Sequence, residues 1–533
     1  MDSKAEQFDF CIIGGGTAGC VLANRLSENG RHRVVLLEAG PRDWHPFIHI
    51  PATCLFLQSN PTFNWLLQSE PEHNANGRRF KLSQGKGLGG SSSINGMLHV
   101  RGAPADFDIW AQSGCTGWSY DDVLPFYRKA ESYQGGEDHE HGRDGPHSVS
   151  DFLAVHPLTK AFVDAADEIG VPFNADMNGA RREGVAYYQQ NRKGRFRAQP
   201  AQTYLRQARR RANLDIRTEA IVTRIMFDGA RAVGVEYRQG GALRTLRVNR
   251  EVIIAAGALK SPHLLQLSGI GDPAHLSSLG IPLRAAAPGV GQNLSDHFQV
   301  RVGHRVQGVI TLNERTRGWP LIKEVLNYTF RGKGMLTMGA GTAALFAKSR
   351  DGLEQADMQL IFAPGSFAAP GVLETLPGMT IGCWPSRPQS RGTVLAVSTD
   401  PMQQPAIHLN YLSAQEDERL VIAGTRLIRK LFAAPALARW SAGETFPGPQ
   451  LETDTEILDF ARERASSGLH FAGTCRMGGE DAVLDPKLRV RGVSALRVVD
   501  ASVMPNTTSG NTNATVVMVA EKAAAMILES IAA

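Results

Sequence analysis

The chain has 533 residues, 42% hydrophobic and 20% charged, with a formal net charge of +5. These proportions describe a globular protein larger than one ordinary domain and exclude collagen-like, fibrous and intrinsically disordered classes. The positive excess is too dilute to argue for nucleic acid, and six cysteines without a C-x-x-C pair argue against a disulfide framework or a zinc site.

Residues 8–40 read as a dinucleotide-binding βαβ unit. Phe10 to Ile13 form a short apolar run suited to a buried parallel strand, which breaks into Gly14, Gly15 and Gly16. Gly14, Gly16 and Gly19 fit G-x-G-x-x-G: a tight turn, a close approach of backbone N–H groups to a pyrophosphate, and packing of the next helix on its strand. Ala18, Val21, Leu22 and Leu26 recur at helical spacing, which points a helix N-terminus at the phosphates. A second strand, Arg33 to Leu37, ends in Glu38, where a carboxylate accepts hydrogen bonds from an adenosine ribose.

A loop-like cover follows, and then Gly85 to Met97, whose glycines and serines suit neither a strand nor an early helix but let backbone lie against something flat or anionic. Residues 105–131 predict two helices, the second capped near Ser119. Residues 135–147, with three histidines among acidic residues, read as a solvated polar loop. Leu158 to Ile169 predicts an amphipathic helix, and Asn174 to Tyr188 an excursion from the first lobe. Val252 to Gly257 predicts another buried strand running into small residues, and 288–297 is the stretch PGVGQNLSDH. From about 300 to 450, scattered Trp and Phe suggest pocket walls without identifying them. Near the C-terminus come SSGLHFAGTCRMG (466–478) and DASVMP through GNTN (500–513), then an apolar helix from about Ala514 to Ile531. The polar leader before the first strand leaves no room for a signal peptide, and no run approaches the roughly 18 apolar residues of a membrane span, so the expected location is cytoplasmic, with peripheral contact at the inner membrane open.

GKGLGGSSSINGMLHVRG and GALKSPHLLQLSGIG (257–271) resemble the two signatures of the glucose-methanol-choline (GMC) family of FAD-dependent oxidoreductases, and the resemblance runs from about residue 8 to residue 530. It implies an α/β two-lobe fold, a Rossmann-type FAD-binding domain (1–150, 196–300 and 456–533) with an inserted substrate-binding domain (151–195 and 301–455) built on an antiparallel sheet with helices. It implies cofactor contacts from Gly14, Gly16, Thr17, Ala18, Gly19, Glu38, Ala39, Trp65, Gly89, Gly90, Ser91, Asn95, Gly96, Met97, Leu98, Val222, Ala256, Gly257, Asp500, Ala501, Asn511 and Thr512. Ile94 stands where some members tether FAD through histidine, so FAD is expected to be held without a covalent bond.

Oxidising an alcohol removes a proton from oxygen and a hydride from carbon, and a neutral imidazole suits the proton near neutral pH. The resemblance assigns that role to His470 and makes Asn511 its partner. The expected reaction is FAD-dependent oxidation of an alcohol to an aldehyde or ketone, by a dehydrogenase rather than an oxidase. An FAD-containing lyase of the hydroxynitrile type on the same scaffold is the alternative. No metal is expected. The alcohol, the electron acceptor (quinone, redox protein or oxygen) and the oligomeric state are left open.

Overall fold

The computed structural model describes residues 6–153, 155–369 and 371–532. Strand β1 (Gln7–Ile13) carries the apolar run, with Phe10, Cys11 and Ile12 inaccessible to solvent. It lies between two parallel neighbours, β2 (Val34–Leu37) on one side and the second half of the long strand Ala242–Ile254 on the other. A strand covered on both faces must be apolar throughout, which accounts for the FCII and VVLL runs. With β3 (Leu214–Arg217), β4 (Ala220–Asp228), β5 (Arg231–Gln239), β6 (Ala242–Ile254) and β7 (Leu496–Val498), the sheet runs in the order β3-β2-β1-β6-β5-β4, and β7 pairs with β6. β6 serves two purposes: its first half closes an antiparallel meander with β5, and its second half is parallel to β1 and β7.

Helices α1 (Thr17–Ser27), α2 (Tyr120–Ala130) and α3 (Thr512–Ala532) pack together on this sheet. The expected C-terminal helix is present and starts two residues earlier, immediately after Asn511. It is buried on most sides, which explains its almost uniformly apolar sequence. Its one buried acid, Glu521, is met by Arg25 (2.8 Å) and the Tyr204 hydroxyl (2.7 Å).

The second sheet is antiparallel, in the order Ser441–Phe446, Phe298–Val306, Gly378–Pro385, Met358–Ala363, Ala343–Ala347 and Gly184–Tyr187. Helices Pro157–Glu168 and Gln415–Ala433 cover one face. Alternate residues on the opposite face, among them Gln299, Arg301, Ile361, Thr380, Gly382 and Trp384, line a cavity. Strand Phe298–Val306 straddles the domain boundary expected at 300, and Ser466–Ser467 pairs with it although the sequence placed them in the other lobe.

The loop 135–147 departs from its sequence reading. Only His139 is a solvated histidine; His141 and His147 are buried. Glu131 accepts from Arg101 at 2.6 Å and from His141 Nδ1 at 2.7 Å, with His99 Nε2 at 3.2 Å, while His141 Nε2 donates to Asp176 at 2.7 Å. Sequence polarity suggested water as the partner of these side chains, but His141 is partnered by Arg101, Glu131 and Asp176, and His147 by the Asn191 amide at 2.8 Å. Burial opposes charge on His141, yet two flanking carboxylates outweigh it and raise the ring to about 8. A folded-state value above the unfolded 6.5 adds stability that is complete below about pH 6.5 and fades as pH rises through about 8. The melting temperature is therefore expected to fall from about pH 6.5 to about pH 9, and His141→Asn to flatten that part of the profile; an equal slope in the variant would discard the assignment.

Candidate active site

A cavity of about 560 Å³ runs from the β1–α1 turn to the second sheet. At its first end, Gly14 has φ +103°, and a Cβ there would lie 2.4 Å from the Ala255 carbonyl oxygen, so only glycine lets β1 turn beside β6. α1 begins just after Gly16, with no side chain capping its first turn and no acid within it, so its backbone donors face the cavity. α3 brings Asn511, Thr512 and Asn513 to the same space. Thr17 donates to Asn513 Oδ1 at 3.0 Å, and Asn513 Nδ2 is buried without a protein partner. Two helix N-termini and an unpaired buried donor suit an anionic group such as a pyrophosphate.

Glu38 lines this end and ties it together. Its carboxylate accepts from Gly15 N (2.7 Å), Gly40 N (2.8 Å) and Gly87 N (2.8 Å). Gly14, Gly16, Thr17, Ala18, Glu38, Ala39, Trp65, Gly90, Ser91, Asn95, Gly96, Met97, Leu98, Val222, Ala256, Gly257, Asp500, Ala501, Asn511 and Thr512 all line the cavity. Gly19 and Gly89 do not. A Cβ on Gly19 would fall 1.9 Å from the Gly14 oxygen, so Gly19 serves helix-to-strand packing; Gly89, at φ +94°, would strike Ser93 and Gln199 and donates its N–H to the Gly15 carbonyl at 2.8 Å. Ile94 packs with Ile48, Leu57 and Phe63 rather than on the cavity. Asp500 accepts from Gly257 N at 2.9 Å and from the Ser261 hydroxyl, fixing the turn after β6.

At the other end His470 and Asn511 meet, Nε2 to Nδ2, at 2.8 Å. His470 Nδ1 lies 2.8 Å from His297 Nδ1, and His297 Nε2 lies 3.2 Å from the Ser386 carbonyl oxygen. A carbonyl only accepts, so His297 Nε2 carries the proton. Burial brings His297 down to about 4, so its ring is neutral and Nδ1 is an acceptor. His470 Nδ1 must then donate. Burial, with the His297 ring adding to it, holds His470 well below the usual histidine value, which leaves Nε2 with a lone pair facing Asn511. The Asn511 amide is oriented in turn, its oxygen 3.4 Å from Gln359 Nε2, which also donates to the Tyr188 hydroxyl at 3.0 Å. The chain of hydrogen bonds thus holds a bare Nε2 that accepts from Asn511, while the second Asn511 N–H remains for a ligand; a hydroxyl that displaces the first N–H finds an acceptor and a donor side by side on the cavity wall.

The backbone around His470 is held with equal care. Leu469 has φ +62°, a left-handed conformation that an aliphatic residue adopts at a cost of about 1–3 kcal/mol. Gly468 N donates to the His297 carbonyl at 2.6 Å, and His470 N to Asp296 at 2.6 Å. Asp296 also accepts from Ser467 and Tyr411; burial still pushes it up to about 6. Asp296, His297 and Gln359 received no role from the sequence, and Trp384 was only one of the scattered aromatic residues expected to shape the pocket. The signal available for the first two was the run PGVGQNLSDH entering a strand; Gln359 and Trp384 sit in stretches without a motif.

The family models described as GMC oxidoreductase match residues 8–299 (N-terminal model) and 388–520 (C-terminal model). The chain is 40% identical over 529 residues to an oxygen-dependent choline dehydrogenase of Vibrio vulnificus (strain YJ016), covering 98% of this chain and 94% of that one. It is 40% identical over 533 residues to an alcohol dehydrogenase (acceptor) of Pseudomonas putida, covering 98% and 96%. Among solved structures, pyridoxine 4-oxidase from Mesorbium loti superposes with a TM-score of 0.88 at 29% identity, covering 97% and 98%, and a formate oxidase with 0.92 at 28%, covering 99% of each.

In protein labelled with ¹⁵N-histidine, His470 Nε2 and His297 Nδ1 are expected to show unprotonated nitrogen shifts at about pH 7 and to keep them at about pH 6, below the ordinary histidine value of about 6.5. A protonated Nε2 on His470 would reverse the hydrogen-bond chain.

Proposed function

Because the chain belongs to the GMC oxidoreductase family, we propose that it is an FAD-dependent enzyme that oxidises an alcohol to its carbonyl at His470 and Asn511. The observation that carries this reading is the lone pair of His470 Nε2 set beside an Asn511 N–H on the cavity wall. FAD fits the donor set: the α1 and α3 N-termini for the pyrophosphate, Glu38 and Val222 at the nucleoside end, and the Ser91 to Leu98 segment along the flat ring. When bound, the flavin supplies a two-electron acceptor for the hydride on the carbinol carbon. The protein's part is to hold and deprotonate the alcohol. Asn511 has a second amide N–H beyond the one directed at His470, and this donates to the substrate oxygen as charge develops on it. The substrate hydroxyl takes the place of the Asn511 N–H at His470 Nε2, which then receives the hydroxyl proton, and the donor bond from Nδ1 to His297 keeps the ring from turning its protonated nitrogen to the substrate. The relatives are named dehydrogenases and oxidases, which favours redox chemistry over the lyase alternative.

Anaerobic addition of the right alcohol is expected to bleach the flavin absorbance. His470→Ala should slow that bleaching by roughly 10²-fold or more, with FAD retained. Failure of any alcohol to bleach it, together with cyanohydrin cleavage, would replace this reading with the lyase.

A peripheral lipid contact is the second reading, and one surface favours it. No helix of the described residues is long and apolar enough to cross a membrane. Helix Gly318–Arg331, however, turns Trp319 (64% exposed), Ile322, Leu326 and Phe330 (80%) outward on one face, and buries only Tyr328. Arg317, Lys323, Arg331 and Lys333 flank that stripe, while the acid within it, Glu324, is occupied by Arg315 at 3.0 Å and by Met335 N. An apolar stripe with a cationic border complements an anionic lipid surface and repels a second copy of itself. The segments on either side of the helix, through Leu312, Thr316, Met335 and Met338, line the cavity, so docking would bring its mouth to the lipid. The protein is expected to sediment with anionic phosphatidylglycerol vesicles, less so at high salt, and W319S/F330S to stay in solution; equal sedimentation of the variant would reject this contact.

A further inference from the structure

The substrate half of the cavity contains a cation without a counter-charge. Arg301 projects from strand Phe298–Val306, opposite Gly382 on the neighbouring strand, and lines the cavity while only partly accessible. Among the described residues it forms no ion pair and no hydrogen bond through its side chain, and no nearby acid supports its charge; burial alone acts on it, and lowers its pKa. The two acids that line the cavity, Glu38 and Asp500, belong to the dinucleotide end and are already engaged by backbone N–H groups. Arg301 reaches water only through the cavity, and a partly desolvated guanidinium with no counter-charge is a site that an anionic ligand completes.

Its position relates it to the chemistry. Gln299 and Arg301 share the cavity face of the strand, and His297, the residue just ahead of it, touches His470 with its ring. Four residues of strand place Arg301 about 13 Å along the chain from His297. Ile361, which pairs with Gly382 from the side opposite Arg301, adds apolar surface to the same stretch of wall. A substrate with its carbinol at His470 and its far end at Arg301 therefore needs an apolar spacer and an anionic terminus.

We propose that Arg301 is a specificity-determining residue that selects alcohols carrying a carboxylate, separated from the carbinol by an apolar chain. The planar guanidinium fork matches a carboxylate in two parallel hydrogen bonds. The same charge disfavours a quaternary ammonium alcohol, although relatives at 40% identity are named for choline. The inference rests on the alcohol-oxidising reading of the site, and the experiment separates the two.

The FAD-loaded enzyme is reduced anaerobically with ω-hydroxyalkanoates of graded length, matched neutral diols and choline. The best hydroxy acid is expected to exceed its matched diol in kcat/KM by about tenfold or more, with choline the poorest of the three. Arg301→Met should cut kcat/KM for the hydroxy acid by roughly 10²-fold, mainly through KM, and leave the diol within about threefold; Arg301→Lys should restore part of the loss. A second readout needs no turnover: simple alkanoates should perturb the flavin spectrum of the wild type, with Kd raised at least about tenfold in Arg301→Met. That binding survives even if no alcohol is oxidised, so its presence without bleaching would reject the reaction and keep the anion site. The variant should melt no lower than the wild type, because an unpaired cation is removed. Equal losses for hydroxy acid and diol, absence of alkanoate binding to the wild type, or loss of FAD from Arg301→Met would each overturn the proposal.

Discussion

Three backbone N–H groups converge on one carboxylate, Glu38, and the dinucleotide end of the cavity takes its shape from them. Gly15 belongs to the turn between β1 and α1, Gly40 to the chain leaving β2, and Gly87 to the second glycine-rich segment. Charge-assisted bonds of 2.7–2.8 Å hold three loops with no regular hydrogen-bond ladder of their own. The requirement for an acid after β2 is thus double. The ribose of the proposed FAD would find an acceptor there, and the fold itself needs one, since three buried amides without a partner would each cost about 1–3 kcal/mol.

The sequence made this part of the fold legible because its constraints are local. Apolar FCII and VVLL suit doubly covered strands, the glycines at 14 and 16 suit a close turn, and the acid follows the second strand. Gly19 packs helix on strand as its place in the motif implies, whereas Gly89 could not be told from its neighbours: a glycine needed to let backbone approach backbone looks the same in sequence as one that lets backbone approach a ligand. His141 and His147 were read as solvated because polarity is local information, whereas the partners that bury them lie outside that loop: Glu131 and Asp176 for His141, and Asn191 for His147. Arg301 was invisible for the opposite reason, because nothing in an alternating strand reveals that one of its faces looks into a cavity.

At the chemical end, the decisive quantity is the direction of one hydrogen bond. A histidine with both nitrogens free would divide its population between two tautomers, and only the form with a bare Nε2 can accept a proton from substrate. The Ser386 carbonyl, a pure acceptor three groups away, removes that choice: it demands a proton on His297, which leaves His297 Nδ1 bare and obliges His470 Nδ1 to be protonated. Burial keeps both rings neutral, so the ordering holds without a charged member. Asp296 contributes geometry rather than charge transfer, since it binds the His470 backbone N–H and not the ring.

One strand joins these arrangements. Phe298–Val306 follows directly after Asp296 and His297, pairs at its start with Ser466–Ser467 just ahead of His470, and then crosses the second sheet between Ser441–Phe446 and Gly378–Pro385. Its register places Gln299 and Arg301 on the cavity face and Val300 and Val302 in the core. A slip by one residue would bury a guanidinium among Leu360, Phe362 and Ile381 and expose two valines, so the hydrophobic pattern itself enforces the register. The same pattern therefore fixes the position of His297 against His470. Packing of the second sheet and alignment of the proposed base are consequently one requirement, met by one alternation of residues.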